Sequence, residues 1–299
     1  MARNIWKIQL INYDIFIMKH KPVIGLVMKS LQAEFFQEMK KGAEAFARKQ
    51  NSFELIIVGT PNQTEIGLQI QLIESLIEQK VDAIVIVPID SKALVPPVVK
   101  AVEVGIKVIN IDIKLDEELL KENGIQLTYV GPDNETASQM VGNVIGQKLG
   151  KGAKVILIEG LRVAENAQQR RQGFLKSIDE YQLNLVASEA ADWETDKAEK
   201  VFAELFAENT DIKGVLCCND AMAIGVIKVL KKKGKAGIIE VVGFDNDVSV
   251  RPLIESGAML ATIDAFGSKM AVEGIEYALK VINGMENKGS FSSNFVLVK

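Results

Sequence analysis

Cysteine is nearly absent from this 299-residue sequence: two occur, adjacent at Cys217 and Cys218. A bond between neighbours would be strained, and no metal-ligand spacing surrounds them, so they read as small apolar residues ending a strand. Histidine occurs once, as His20, ahead of the first regular strand. No G-x-G-x-x-G follows a strand and no G-x-x-x-x-G-K-[ST] is present, which removes the usual nucleotide cradles. No catalytic residue, metal or cofactor is therefore expected, and two cleft carboxylates of the glycosidase kind are the one enzymatic option left open. Strong charge of either sign is missing too. The formal net charge is −4 and the basic residues are scattered along helical segments, which argues against a nucleic-acid partner. The lysines at 231–233 read as a solvated helix end.

Long apolar runs are also lacking. The opening stretch "MARNIWKIQLINYDIFIMKH" is interrupted by Asn12 and Asp14 and falls short of the roughly 20 apolar residues that a membrane span needs. No small-x-small cleavage site or lipobox-like cysteine comes after it. Residues 1–20 are read as a leader or an atypical export signal. With only seven prolines, 48% apolar residues and 25% charged residues, the remainder has the composition of one large or two moderate globular domains.

βαβ punctuation is the feature that the chain has in quantity. Runs such as "VIGLVM" (23–28), "FELIIVG" (53–59), "DAIVIVP" (82–88) and "KVINIDI" (107–113) alternate with helical periods at 34–49, 64–79 and 91–103. The runs are near-continuously apolar, as parallel strands covered on both faces require. The pattern then restarts at "LTYVGP" (127–132) and continues through "AKVILIEG", "LNLVASEA", "IKGVLCCN", "IEVVGFD" and "LATIDA", with a helical period at 267–282 and a last strand in "NFVLVK". No Pro/Gly/Ser-rich linker separates the two series. The fold class is α/β, with two doubly wound parallel-sheet lobes in series.

Open α/β sheets bind ligands at the carboxyl ends of their strands, so two facing sheets make a cleft whose wall is the set of strand-end residues. Lys29, Asp112, Asn219, Asp245 and Asp264 occupy such ends, and Phe35, Phe36 and Trp193 stand beside them. Carboxylates and amides share hydrogen bonds with pairs of hydroxyls, while aromatic faces cover the C–H side of a sugar ring. A neutral polyhydroxylated molecule suits that lining. Each assignment has a competing reading. Lys29 can pair with Glu34, and Arg170 with Glu165 or Glu180. Asp112 and Asp245 can cap the helix or turn after them, Trp193 can be interlobe core, and Asp264 can face away from the cleft.

From about residue 22 onward the chain resembles the periplasmic sugar-binding proteins of the ribose-binding type, the substrate-capturing components of ABC importers. The resemblance rests on "IGLVMKSLQAEFFQEMKKGAEAFA", "DAIVIVPIDSKAL", "VINIDI", "VGPDN", "QQRRQGF", "CNDAMAIGVIKVL" and "VVGFDND", in that order. It implies two lobes joined by three crossovers, 21–131 plus 266–291 and 132–265 plus 292–299, with the ligand cleft between them. It also implies that Asp112, Asn219 and Asp245 accept hydrogen bonds from sugar hydroxyls, that Arg170 is a cationic donor, and that Phe36 and Trp193 cover the ring. Lys29, Ala33, Ile113 and Ala265 depart from the ribose-binding pattern, which points away from ribose toward another pentose, a hexose or a linear sugar alcohol. The implied partners are a membrane permease and its ATPase, the implied location is the periplasm, and the implied state is a monomer. Two alternatives share this core. One is the effector domain of LacI-type regulators, which carry a DNA-binding domain of about 60 residues ahead of it where this chain has about 20; the other is a ligand-presenting partner of a chemoreceptor.

Overall fold

The computed structural model describes residues 21–299, and the leader expected at 1–20 lies outside the described residues. The first lobe is built from β1 (Val23–Met28), α1 (Glu34–Gln50), β2 (Glu54–Gly59), α2 (Ile66–Glu78), β3 (Ala83–Ile86), α3 (Val95–Glu103), β4 (Lys107–Ile111), α4 (Glu117–Glu122) and β5 (Thr128–Gly131). The second comprises α5 (Asn134–Leu149), β6 (Lys154–Glu159), α6 (Glu165–Glu180), β7 (Asn184–Ala190), α7 (Thr195–Glu208), β8 (Gly214–Cys217), α8 (Asp220–Lys232) and β9 (Glu240–Val242). A 3-10 turn (Val248–Val250), α9 (Arg251–Glu255) and β10 (Thr262–Asp264) complete its forward run. The chain ends in α10 (Gly267–Ile282), β11 (Gly289–Ser292) and β12 (Val296–Val298).

The strand order explains why the chain changes lobes three times. In the first sheet the order is β2-β1-β3-β4-β5-β11, every pairing being parallel. The second sheet runs β7-β6-β8-β9, and a bridge from Val242 to Ala261 joins it to the antiparallel pair β10-β12. After β5 the chain therefore leaves for the second sheet, returns after β10 so that α10 packs on α1 and on β4, and crosses once more between β11 and β12. This is the α/β fold of two doubly wound parallel sheets joined by three crossovers. Central strands such as β3 and β8 are buried along their whole length, which is why they read as unbroken apolar runs.

Two helices start later than their periodicity suggests, each because a side chain folds the preceding residues into a turn. Asn62 Oδ1 accepts from the Thr64 amide at 3.0 Å, which delays α2. Asp90 Oδ1 accepts from the amides of Lys92 and Ala93, both at 2.8 Å, which delays α3. Such Asx turns compete locally with the helix.

Candidate functional site

The carboxyl ends of the two sheets face each other across a cavity of about 440 Å³. From the first lobe come Lys29 and Ser30 after β1, Phe35 and Phe36 at the start of α1, Gln63 after β2, and Asp112 after β4. The second lobe contributes Asn166 and Arg170 on α6, Trp193 after β7, Asn219 before α8, and Asp245 and Asp247 after β9. Eight of the nine side chains expected from sequence thus line one cavity. The ninth does not. Asp264 is turned to its own strand end, where Oδ2 accepts from Asn246 Nδ2 at 2.9 Å and Oδ1 from the Phe266 amide at 2.8 Å. A strand neighbour points to the opposite side, and here that side is the support of the 245–247 turn. Ile113 and Ala265 are buried but do not line the cavity, whereas Ala33 does.

Arg170 makes no helix-surface pair. Its Nε donates to Asn134 Oδ1 at 2.9 Å, and Nη1 donates to the Cys218 carbonyl at 2.9 Å and to Asp245 Oδ1 at 3.2 Å. The guanidinium lies 3.6 Å from the centre of the Phe244 ring, an arrangement that suits its planar, weakly hydrated cation. Lys29 does not reach Glu34, which instead accepts from the Ser249 amide at 3.1 Å and the Ser249 hydroxyl at 2.6 Å, across the seam between lobes. The Lys29 ammonium lies 4.7 Å from the centre of the Trp193 ring and 5.6 Å from that of Phe36. Burial pulls it down from 10.5 to about 8, against the attraction of Asp112.

Asp112 caps no helix. Its backbone is left-handed, with φ 63°, and is held by its own N–H donating to the Val130 carbonyl and by the Tyr129 hydroxyl donating to its carbonyl, both at 2.9 Å. Burial pushes its carboxyl up, and Lys29 and Arg170 oppose that. Asp245 (φ 119°) and Asn246 (φ 55°) form a turn equally unfavourable for L-residues. A fully buried carboxylate, Asp220, secures it by accepting from the Asp247 amide at 3.0 Å and the Thr262 hydroxyl at 2.8 Å, while the Asp220 N–H donates to the Phe244 carbonyl at 2.8 Å. Burial raises the Asp245 carboxyl and Arg170 opposes the rise. Asp247 is raised by burial and by the carboxylates of Asp245, Glu34 and Glu38.

Asn219 serves two purposes. Its Oδ1 caps α8 by accepting from the Met222 amide at 2.9 Å and its Nδ2 donates to the Trp193 carbonyl at 3.5 Å, so one N–H and one lone pair are what it has left for a ligand. Trp193 is held at φ 71° with its benzo edge over Gly160, where a Cβ would sit 2.1 Å from the ring. Phe35 and Phe36 meet edge to face, 5.1 Å apart. The wall residues that sequence reasoning missed include Gln63, Asn166, Glu194 and Asp247. Asn166 had a signal, since it stands four residues before Arg170 and so shares its helix face. Among the described residues, no cluster of His, Cys, Asp and Glu is arranged to hold a metal ion, and no helix is long and apolar enough to cross a membrane.

Chemically this arrangement offers a buried cavity with two cations, several carboxylates, amides and aromatic rings, which is a hydrogen-bonding surface suited to hydroxyls. Residues 24–286 match the family model described as periplasmic binding protein domain. The chain is 41% identical over 265 residues to the D-ribose/D-allose-binding protein of Pseudomonas aeruginosa, covering 88% of this chain and 83% of that protein. It is 35% identical over 242 residues to the D-allose-binding periplasmic protein of Escherichia coli, covering 80% and 78%. Among solved structures, an ABC transporter periplasmic solute binding protein from Actinobacillus succinogenes with bound D-allose superposes with a TM-score of 0.88 at 34% identity, covering 93% of this chain and 98% of that one.

Proposed function

The chain belongs to the periplasmic binding protein domain family, and on that premise we propose that it is the solute-binding component of an ABC importer, capturing a neutral monosaccharide or sugar alcohol between its lobes and releasing it unchanged. The observation that carries this reading is the balance of charge in a buried cavity: Lys29 and Arg170 stand against Asp112 and Asp245, with Phe36 and Trp193 beside them. Burying a ligand charge needs a free counter-charge. The further ionisable groups in the wall are the acids Glu34, Glu194 and Asp247, none of which can meet a ligand anion, and this disfavours sugar acids and phosphates. Neutral hydroxyls meet the fixed charges as hydrogen bonds of the stronger, charge-assisted kind.

In this reading the lobes are 21–131 plus 266–291 and 132–265 plus 292–299, closing about the three crossovers. The protein works as a periplasmic monomer that hands its ligand to a permease driven by an ATPase. Since relatives are named for D-allose and D-ribose, those two sugars head the panel that tests it, with other pentoses, hexoses, polyols and sugar acids behind them. A ligand at 100 times its Kd stabilises by about 2.7 kcal/mol, which moves the thermal midpoint by several degrees. The expected result is one neutral sugar or polyol ranking above D-ribose, with the acids inert. A panel without any shift, or a ligand recovered chemically altered, refutes the reading.

A further inference from the structure

Helix α6, which brings Arg170 to the cavity wall, begins at a residue whose side chain cannot cap it. Its N-cap is Ala164, which makes no side-chain hydrogen bond, whereas α5 and α8 of the same lobe are capped by their own Asp133 and Asn219. The first amides of a helix have no partner within it and must find an acceptor elsewhere. For α6 the acceptor comes from the other lobe. The Glu165 amide donates to Ser91 Oγ at 3.0 Å, and beside it the Ser91 amide donates to the Val163 carbonyl at 3.2 Å. Ser91 is buried at the seam but does not line the cavity. The first lobe presents it firmly, since Asp90 folds the turn around it and the Asp116 amide donates to its carbonyl at 2.8 Å. A second point of the seam is built alike: Asp247 makes no side-chain cap for the 3-10 turn, and Glu34 of the first lobe accepts from the Ser249 amide and hydroxyl.

We infer that Ser91 is a latch: by capping α6 across the seam it holds the lobes closed and sets how long a captured ligand stays, without touching that ligand. This rests on the sugar-binding reading above, in which the lobes part to admit the sugar. When they part, the Glu165 amide loses Ser91 and has only water to meet it, so the cap belongs to the closed state alone. A side-chain cap favours the conformation that contains it by about twofold to thirtyfold. A ligand that binds only the closed state gains affinity by the same factor, because more of the protein is competent to hold it. That gain is the same for every sugar the cavity accepts. The cavity wall therefore sets the ranking of ligands, while Ser91, aided by Glu34 at the second point of the seam, sets the absolute affinity and the residence time.

The test uses the full protein and those sugars of the panel that it binds. Ser91→Ala removes the acceptor and keeps the backbone bond to Val163. By isothermal calorimetry the variant is expected to bind every one of these sugars about fivefold more weakly, by a common factor that leaves their order unchanged. Stopped-flow tryptophan fluorescence is expected to show the complexes dissociating correspondingly faster. The ligand-free thermal midpoint stays within about a degree of the wild type, because the cap is not formed while the lobes are apart, and only the sugar-saturated midpoint falls. A merely structural serine would lower both midpoints together. Unchanged affinities, a loss confined to one sugar, a dissociation rate that does not move, or a ligand-free midpoint that falls as far as the saturated one overturns the inference while the sugar-binding reading stands. A wild type that binds no member of the panel overturns the sugar-binding reading and the inference with it.

Discussion

Replacing Lys29 by methionine separates the stability of the cavity from its affinity. The ammonium is 3% exposed and lies among the rings of Trp193 and Phe36, so losing water dominates its energetics and brings it from 10.5 to about 8. At about 1.4 kcal/mol per pH unit, that fall means the closed cavity disfavours the ammonium by roughly 3 kcal/mol. Linkage gives the sign. The folded value lies below the unfolded one, so between about pH 8 and 10.5 the unfolded chain holds the proton more often, and stability rises with pH across that window. Below about pH 8 the cost is fully present. Lys29→Met keeps the stem and removes the charge, so at pH 7 the ligand-free protein gains up to ~3 kcal/mol, several degrees in midpoint, and lacks the alkaline rise of the wild type. Affinity for the preferred sugar moves the other way, falling tenfold or more, and the ranking across the panel flattens, because a compact donor has been taken from one fixed point of the wall. Differential scanning calorimetry from pH 7 to 10.5 and isothermal calorimetry at pH 7 read the two quantities separately. A variant that loses stability and keeps its affinity and ranking would refute the reasoning, placing the Lys29 head in water and leaving selectivity to Trp193 and the cavity shape.

Two further expectations concern the groups around it. Asp112→Ala and Asp245→Ala each lower affinity by more than a hundredfold, about 3 kcal/mol for a charged acceptor withdrawn from buried hydroxyls. Only Asp245→Ala also lowers the ligand-free midpoint, since it strips Arg170 of its buried partner; equal stability losses in the two variants would show that the pair contributes nothing to folding. Gly160→Ala pushes a methyl group to within 2.1 Å of the Trp193 ring position, so the indole must shift, affinity drops at least tenfold, and the near-ultraviolet tryptophan signal changes. An unchanged signal and affinity would mean that the backbone at 160 yields instead.

The fold was legible because its signals are redundant. Buried parallel strands such as β3 and β8 carry unbroken apolar runs, and each is followed by a helix of clear period. The strand at Gly289–Ser292 carried no such signal: all four of its residues are exposed, and it joins the sheet edge beside β5 by backbone pairing, with Phe291 stacked on Tyr277 of α10. The site was legible to the extent that strand ends are. Lys29, Asp112, Trp193, Asn219 and Asp245 all come shortly after a strand and were found by position. Asn166 and Gln63 belong to a helix turn and a loop whose approach to the cleft depends on packing, which local pattern does not encode. Asp264 failed for the converse reason, since it stands at a strand end but is engaged there by Asn246 and the Phe266 amide. The partner of Arg170 lies 75 residues away at Asp245, a distance at which only the assembled fold decides between a helix-surface pair and a buried one.

The backbone around the site shows where its geometry is fixed. Asp112, Trp193 and Asp245 line the cavity from positive-φ conformations, each unfavourable by about 1–3 kcal/mol. The two strained aspartates are secured inside their own lobes. Tyr129 and Val130 hold Asp112 in the first, while Asp220 and Thr262 brace the Asp245 turn in the second. Neither of these two turns depends on the other half of the wall for its shape; the halves meet at the seam, as in Glu34 with Ser249, and where Lys29 approaches the Trp193 ring. The ordering of these two turns is therefore completed when each lobe folds, so association with a ligand need not supply it. Preorganisation of this kind reduces the entropy lost on binding, which lets a small, water-loving molecule be held through hydrogen bonds that would otherwise do little more than match those it makes with water.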